Sequence, residues 1–165
     1  MTNKHWKAQF RLGIFGLLLA RTVFAVDAGN VEEAPIHIAA RLGGTSEIQR
    51  LLKSDPGARD LRTELGSSPL HLAAMNPDQS ALRALLAAGA NPNARDANGA
   101  TPLHMAAYAS RPEHAKILLE AGADPALKTN EGRDAAAMAR KVKSDETAGV
   151  ISLWILKGCK AGKPC

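Results

Sequence analysis

A chain of 165 residues, 45% apolar but only 4% aromatic, can build one domain of ordinary size whose core is alanine and leucine rather than large rings. Its 21 basic and 16 acidic residues give +5, yet four of the basic and none of the acidic residues fall within positions 1–25, so the remainder carries +1. That balance gives no support to nucleic-acid binding, and the aromatics are too few to stack bases.

The first 25 residues stand apart. Lys4, Lys7 and Arg11 form a positive start, Leu12 to Ala20 is an apolar run of nine, and Val23-Phe24-Ala25 supplies a small-residue cleavage pattern. This is the anatomy of a secretory signal peptide, with cleavage expected after Ala25 and Ala28 as second choice. The competing reading, an uncleaved anchor, is disfavoured because a spanning helix needs about 20 apolar residues. No cysteine lies nearby to suggest a lipoprotein. Residues 26–30 are a polar lead-in.

A phrase then recurs. It appears as Ala34-Pro35-Ile36-His37-Ile38-Ala39-Ala40, as Ser68-Pro69-Leu70-His71-Leu72-Ala73-Ala74, and as Thr101-Pro102-Leu103-His104-Met105-Ala106-Ala107, with prolines 34 and 33 residues apart. A decayed fourth copy surrounds Ala135, 33 residues on. Leucine pairs (51–52, 85–86, 118–119) follow each proline by 16 residues, and Gly66, Gly99 and Gly132 precede Pro69, Pro102 and Ala135 by three. Self-similarity at about 33 residues marks a stacked-repeat protein.

In the first repeat (31–62) the spacing predicts a second helix near 45–53, broken by Ser54-Asp55-Pro56-Gly57. In the second (63–95), Ser68 can cap a helix that Pro69 opens; Asn76-Pro77 stops it, and a second helix is expected from Asp78, burying Leu82, Leu85 and Leu86. In the third (96–128), Thr101 caps, Pro102 opens, and Ser110-Arg111-Pro112-Glu113 reads as a capping box for the second helix. In the fourth (129–156), helices are expected over 135–143 and around Val150 to Leu156, with Trp154 shielding the end of the core or anchoring a partner. A basic tail (157–165) follows.

These residues closely resemble the ankyrin repeat, over roughly Val31 to Leu156. The resemblance implies an all-α repeat solenoid of about four stacked helix-turn-helix units joined by hairpin-like loops. It also implies that His37, His71 and His104, with Pro35, Pro69 and Pro102, are structural, each histidine bonding the turn backbone and tying neighbouring repeats. The concave surface of such stacks, made by turn tips and first helices, is the expected binding face. Carried over position by position, it comprises Arg41 and Leu42; Arg62, Glu64, Leu65, Ser67, Met75 and Asn76; Arg95, Ala97, Asn98, Ala100 and Tyr108; and Lys128, Asn130, Glu131, Arg133 and Lys141. Met75, Tyr108 and Leu42 would make an apolar line with a charged rim.

Motifs of catalysis are absent: there is no nucleophile elbow, phosphate-cradling glycine loop or His-Glu-x-x-His. The periodic histidines would stand about 10 Å apart, the spacing of packed helices, too far to share a metal. His114 reads as a packing residue with a polar tip. No enzyme activity, metal or cofactor is expected. Cys159 and Cys165, the only cysteines, lie after the last helix. In an exported chain they read as a disulfide closing a short loop, worth about 2 kcal/mol in loop entropy. A redox-active or partner-linked pair remains the alternative, while two thiols are too few for zinc. The expectation is a non-enzymatic, protein-binding module, monomeric alone, in an exported compartment, a bacterial periplasm with a eukaryotic secretory origin as the alternative, and with no membrane contact beyond the signal segment. The alternatives are an inhibitor or immunity protein blocking a toxin or hydrolase, and a stress-protection or redox helper of an exported enzyme.

Overall fold

A computed structural model describes residues 33–161, which form eight α-helices and no strand. The signal segment, the polar lead-in, residues 31 and 32, and Cys165 lie outside the described residues. The helices come in pairs: α1 (Pro35–Leu42) with α2 (Thr45–Ser54), α3 (Pro69–Met75) with α4 (Ser80–Ala87), α5 (Pro102–Tyr108) with α6 (Pro112–Glu120), and α7 (Ala135–Lys141) with α8 (Asp145–Leu156). Helices of 7 to 12 residues are too short to persist alone in water, so their stability comes from stacking. The first helices pack in an unbroken row, α1 on α3 on α5 on α7. In the outer row α2 packs on α4 and α6 on α8, while α4 and α6 stand farther apart. Both rows bury Leu, Ile and above all Ala in one continuous core, where paired alanines such as Ala73-Ala74 and Ala106-Ala107 are fully enclosed.

Each expected start by proline is observed, because a missing N–H costs nothing at the first helical position. Serine and threonine cap as expected, but through the histidine three residues on. The Ser68 N–H donates to His71 Nδ1 (3.1 Å) and its hydroxyl lies 2.8 Å from the same nitrogen. Thr101 and His104 repeat the arrangement at 3.2 and 2.9 Å. In the fourth repeat Asp134 takes over, its carboxylate accepting from the Ala137 N–H at 2.7 Å.

Three expected boundaries need correction. The Ser110 capping box does not form: Ser110 instead adopts a left-handed φ of +56°, and α6 has no side-chain cap. This is the tight turn between the helices of a pair, made by Gly43 at +80° and Lys143 at +59° in the first and fourth repeats. The second repeat places Pro77 there, whose ring forbids positive φ. Its turn is built differently, from Asn76 Oδ1 accepting the Asp78 N–H (2.7 Å) and Asp78 Oδ1 accepting the Ser80 N–H (3.0 Å). As a result α4 begins at Ser80 rather than Asp78. Third, α7 ends at Lys141, not residue 143, because Lys143 makes the turn. Leu86 is half-buried, at the core margin.

The last helix departs from the repeat. Where α6 closes with Glu120-Ala121-Gly122, α8 continues through Leu153-Trp154-Ile155-Leu156 for an extra turn. Trp154 packs half-buried against the core margin, whereas Leu156 is 80% exposed.

Hairpin loops link successive pairs, and each ties to the next. The Ala97 N–H donates to Leu65 O (3.0 Å) and the Asn130 N–H to Asn98 O (2.9 Å). Gly99 sits at this junction with φ +71°, and a Cβ there would lie 2.5 Å from Arg95 Nη2 and from Asn130 Oδ1. Gly132 has a similar φ of +77° but open space around it. Substitution of either by alanine costs the left-handed penalty of about 1–2 kcal/mol. Gly99→Ala is expected to lose about 1 kcal/mol more, since it displaces two inter-repeat hydrogen bonds. Urea unfolding of both variants checks this; equal destabilisation would contradict the assigned crowding.

Candidate binding face

The histidines come first, because they are the residues with the chemistry to act. His71 Nε2 lies 3.1 Å from Ala100 O and His104 Nε2 3.0 Å from Arg133 O, each carbonyl being one repeat on. A carbonyl only accepts, so Nε2 carries the proton, and Nδ1 is left to accept from the cap. Both rings are therefore fully used as neutral imidazoles. His37 reaches Leu61 O (3.2 Å), and its Nδ1 has no partner, since neither the Ala34 N–H nor a hydroxyl meets it there. Burial holds the pKa of His71 and His104 below the ordinary histidine value, partly opposed by the backbone bonds they donate to Ala100 and Arg133. His114 is buried with Nε2 unpartnered, and burial lowers its pKa as well. No group of three His, Cys, Asp or Glu side chains that could hold a metal ion occurs among the described residues.

The concave face is built from the exposed side of the first helices and the hairpin tips. Counting from each opening residue, the sixth position onward carries Arg41, Met75, Tyr108 and Lys141. All four are exposed, Tyr108 at 56%. The third position carries Ile38, Leu72, Met105 and Met138, a row the sequence reading missed. Residues three apart on a helix share a face, so the two rows run side by side. A hollow of about 260 Å³ places Met105 and Met138 opposite the tip residues Asp96, Asn98, Asn130 and Glu131, with Arg133 also in its lining. The signal for the missed row was present, since these positions interrupt the buried pattern of the phrase with an apolar residue in every repeat.

Several expected face residues turn out to be tied down. Arg62 Nη1 donates to Gly66 O (2.9 Å) and Arg95 O (3.2 Å), and Arg95 Nη2 donates to Lys128 O (2.8 Å). These arginines thus staple one loop to the next while keeping their charge at the rim. Arg41 pairs with Glu33 at 2.7 Å, and Arg133 pairs with Glu131. Asn76 donates to Arg41 O and accepts from Asp78, which makes it a loop-former. Ala100 is a correction: it is buried, because its carbonyl must meet His71. Glu64, Leu65, Asn98, Lys128 and Lys141 are exposed at tips and helix end, and Leu42 is exposed at the end of α1.

A family model described as "Ankyrin repeats (3 copies)" matches residues 14–129, well over half of the chain. Among curated proteins, a mitochondrial disaggregase of Bos taurus is 36% identical over 86 residues, which is 52% of this chain and 13% of that protein. The human "SH3 and multiple ankyrin repeat domains protein 2" is 37% identical over 65 residues, 39% of this chain and 4% of that protein. The chain thus spans only a small part of the length of these relatives.

Burial of the neutral histidines fixes a pH dependence. With folded pKa values below the unfolded value of about 6.5, the unfolded chain binds more protons as the pH falls. Stability is therefore complete above that value and declines as pH drops below it. The urea midpoint should fall between pH 7.5 and pH 5.5, before carboxylates begin to titrate, and less so in His104→Gln. A midpoint constant across that window would contradict buried, neutral rings.

Proposed function

The chain belongs to the ankyrin-repeat family, and from that premise we propose that it is a non-enzymatic module that holds another protein on its concave face in an exported compartment. Ankyrin repeats are protein–protein interaction scaffolds, and no catalytic family is indicated. The observation that carries the reading is the apolar row Ile38, Leu72, Met105 and Met138 beside Met75 and Tyr108, which are exposed at the middle of the second row between Arg41 and Lys141. An apolar centre with a polar rim is the ordinary anatomy of a protein interface.

Export rests on the sequence: the basic start, the nine-residue apolar run and the Val23-Phe24-Ala25 pattern, together with two cysteines in the tail. We place the protein in a bacterial periplasm, cleaved after Ala25 and closed by a Cys159–Cys165 disulfide. A role as inhibitor of a basic toxin site would call for an acidic groove, and the mixed charge of this one does not favour it.

Capture from the exported fraction, with the protein as bait, is expected to recover one stoichiometric partner, and Tyr108→Ala combined with Met75→Ala should lower its recovery at least tenfold. Undiminished recovery would remove the concave face from the reading. Intact-mass measurement of the exported protein should begin at Val26 and, with thiol alkylation, show no modified cysteine. A retained leader or two alkylated thiols would overturn the compartment and the disulfide respectively.

A further inference from the structure

Resting on the binding reading above, we propose that the concave groove takes an amphipathic helix of the partner, laid along the stack with a heptad-spaced apolar stripe facing in and acidic residues at its flanks.

The composition of the groove is the first argument. Every methionine among the described residues, Met75, Met105 and Met138, lies in one of its two rows, and so does the chain's single tyrosine. Methionine is unbranched and polarisable, and surfaces rich in it repack around apolar helical faces of differing shape. The buried core, by contrast, contains no methionine and is built from Ala, Leu and Ile. Met75 is exposed, while Met105 and Met138 are half-buried, packing one side against that core and lining the hollow with the other. The hollow of about 260 Å³ at Met105 and Met138 offers an apolar side chain a place to insert.

Spacing is the second argument. First helices stack at about 8–10 Å, so the rows repeat with that period along the groove. A helix advances about 10.5 Å in seven residues, so its side chains at i, i+7 and i+14 meet successive rungs with the same face. An extended segment advances about 3.3 Å per residue and reaches the next rung after three residues. Three is odd, so a strand would present opposite faces to neighbouring rungs. The period of the stack therefore disfavours a strand; a polyproline helix, with three residues and about 9.3 Å per turn, also matches it, and the methionine rows favour the α-helix over that form.

Charge is the third. Glu33 offsets Arg41, and Glu131 offsets Arg133. Arg62 and Arg95 bond neutral carbonyls and keep their charge outward, and Lys128 and Lys141 are exposed without an ion pair among the described residues. Only Glu64 and Asp96 oppose these four cations, so the rim is net positive and complements acidic flanks.

Three fluorescein-labelled 21-residue peptides test the proposal by anisotropy with the purified protein at 150 mM salt. One carries leucine at heptad positions with glutamate flanks, one has the same composition scrambled, and one has lysine in place of glutamate. The first should bind at least tenfold more tightly than either other. Met105→Gln with Met138→Gln, close in shape and checked for native circular dichroism, should abolish that preference. Equal binding of patterned and scrambled peptides, or a preference untouched by the double variant, overturns the helix. If that happens while Tyr108→Ala still releases the captured partner, the groove reading stands and only the helical ligand falls.

Discussion

A neutral imidazole with both nitrogens engaged is the joint on which this stack depends. Nδ1 accepts from the cap of its own helix, and Nε2–H donates to a carbonyl in the next repeat. One side chain thereby fixes a helix start and the distance between two layers. Helices of seven residues have no cooperativity of their own to draw on, so the fold must gain its order between repeats. The arginine staples also reach forward by one period, while the hairpin bonds run back, the Ala97 and Asn130 N–H groups donating to carbonyls of the loop before. The buried alanines permit it, since only small side chains let the layers close to hydrogen-bonding range.

That joint also explains where function is not. In His71 and His104 both nitrogens are spent on the cap and on the next repeat, and burial lowers the pKa, so neither ring has an atom left over for another molecule. The residues that look most chemical are the most structural. The exposed side chains of the face point away from the layers, Met75 and Tyr108 at its middle and Glu64, Lys128 and Lys141 at its rim.

Much of this was legible in the sequence. The period, the proline starts, the Ser68 and Thr101 caps and the glycine loops each require particular residues at fixed positions, so they could be read without coordinates. What escaped had a physical reason. Ser110 resembles a cap because Glu113 follows three residues later, but the turn demanded a left-handed residue there and won. Arg62 and Arg95 look like rim charges, and only their distance to the next loop's carbonyl reveals the staple. The row of Ile38, Leu72, Met105 and Met138 was hidden because apolar residues inside a helix are ordinarily assigned to the core. Ala100 was misplaced because the demand of His71 for its carbonyl is a relation between repeats.

The substitution of Pro77 at the left-handed position has a mechanical consequence. It sets α4 back by one residue, and it is between α4 and α6 that the outer row is loosest, while the inner row stays continuous. Arg111, reaching Met75 O (3.4 Å), and Asn93, reaching Gly122 O (2.9 Å), bridge the second and third repeats across that seam. The outer side of the stack at its middle is therefore joined by directional side-chain bonds where its neighbours rely on helix-to-helix packing, level with Met75 and Tyr108, the neighbouring rungs at the centre of the face.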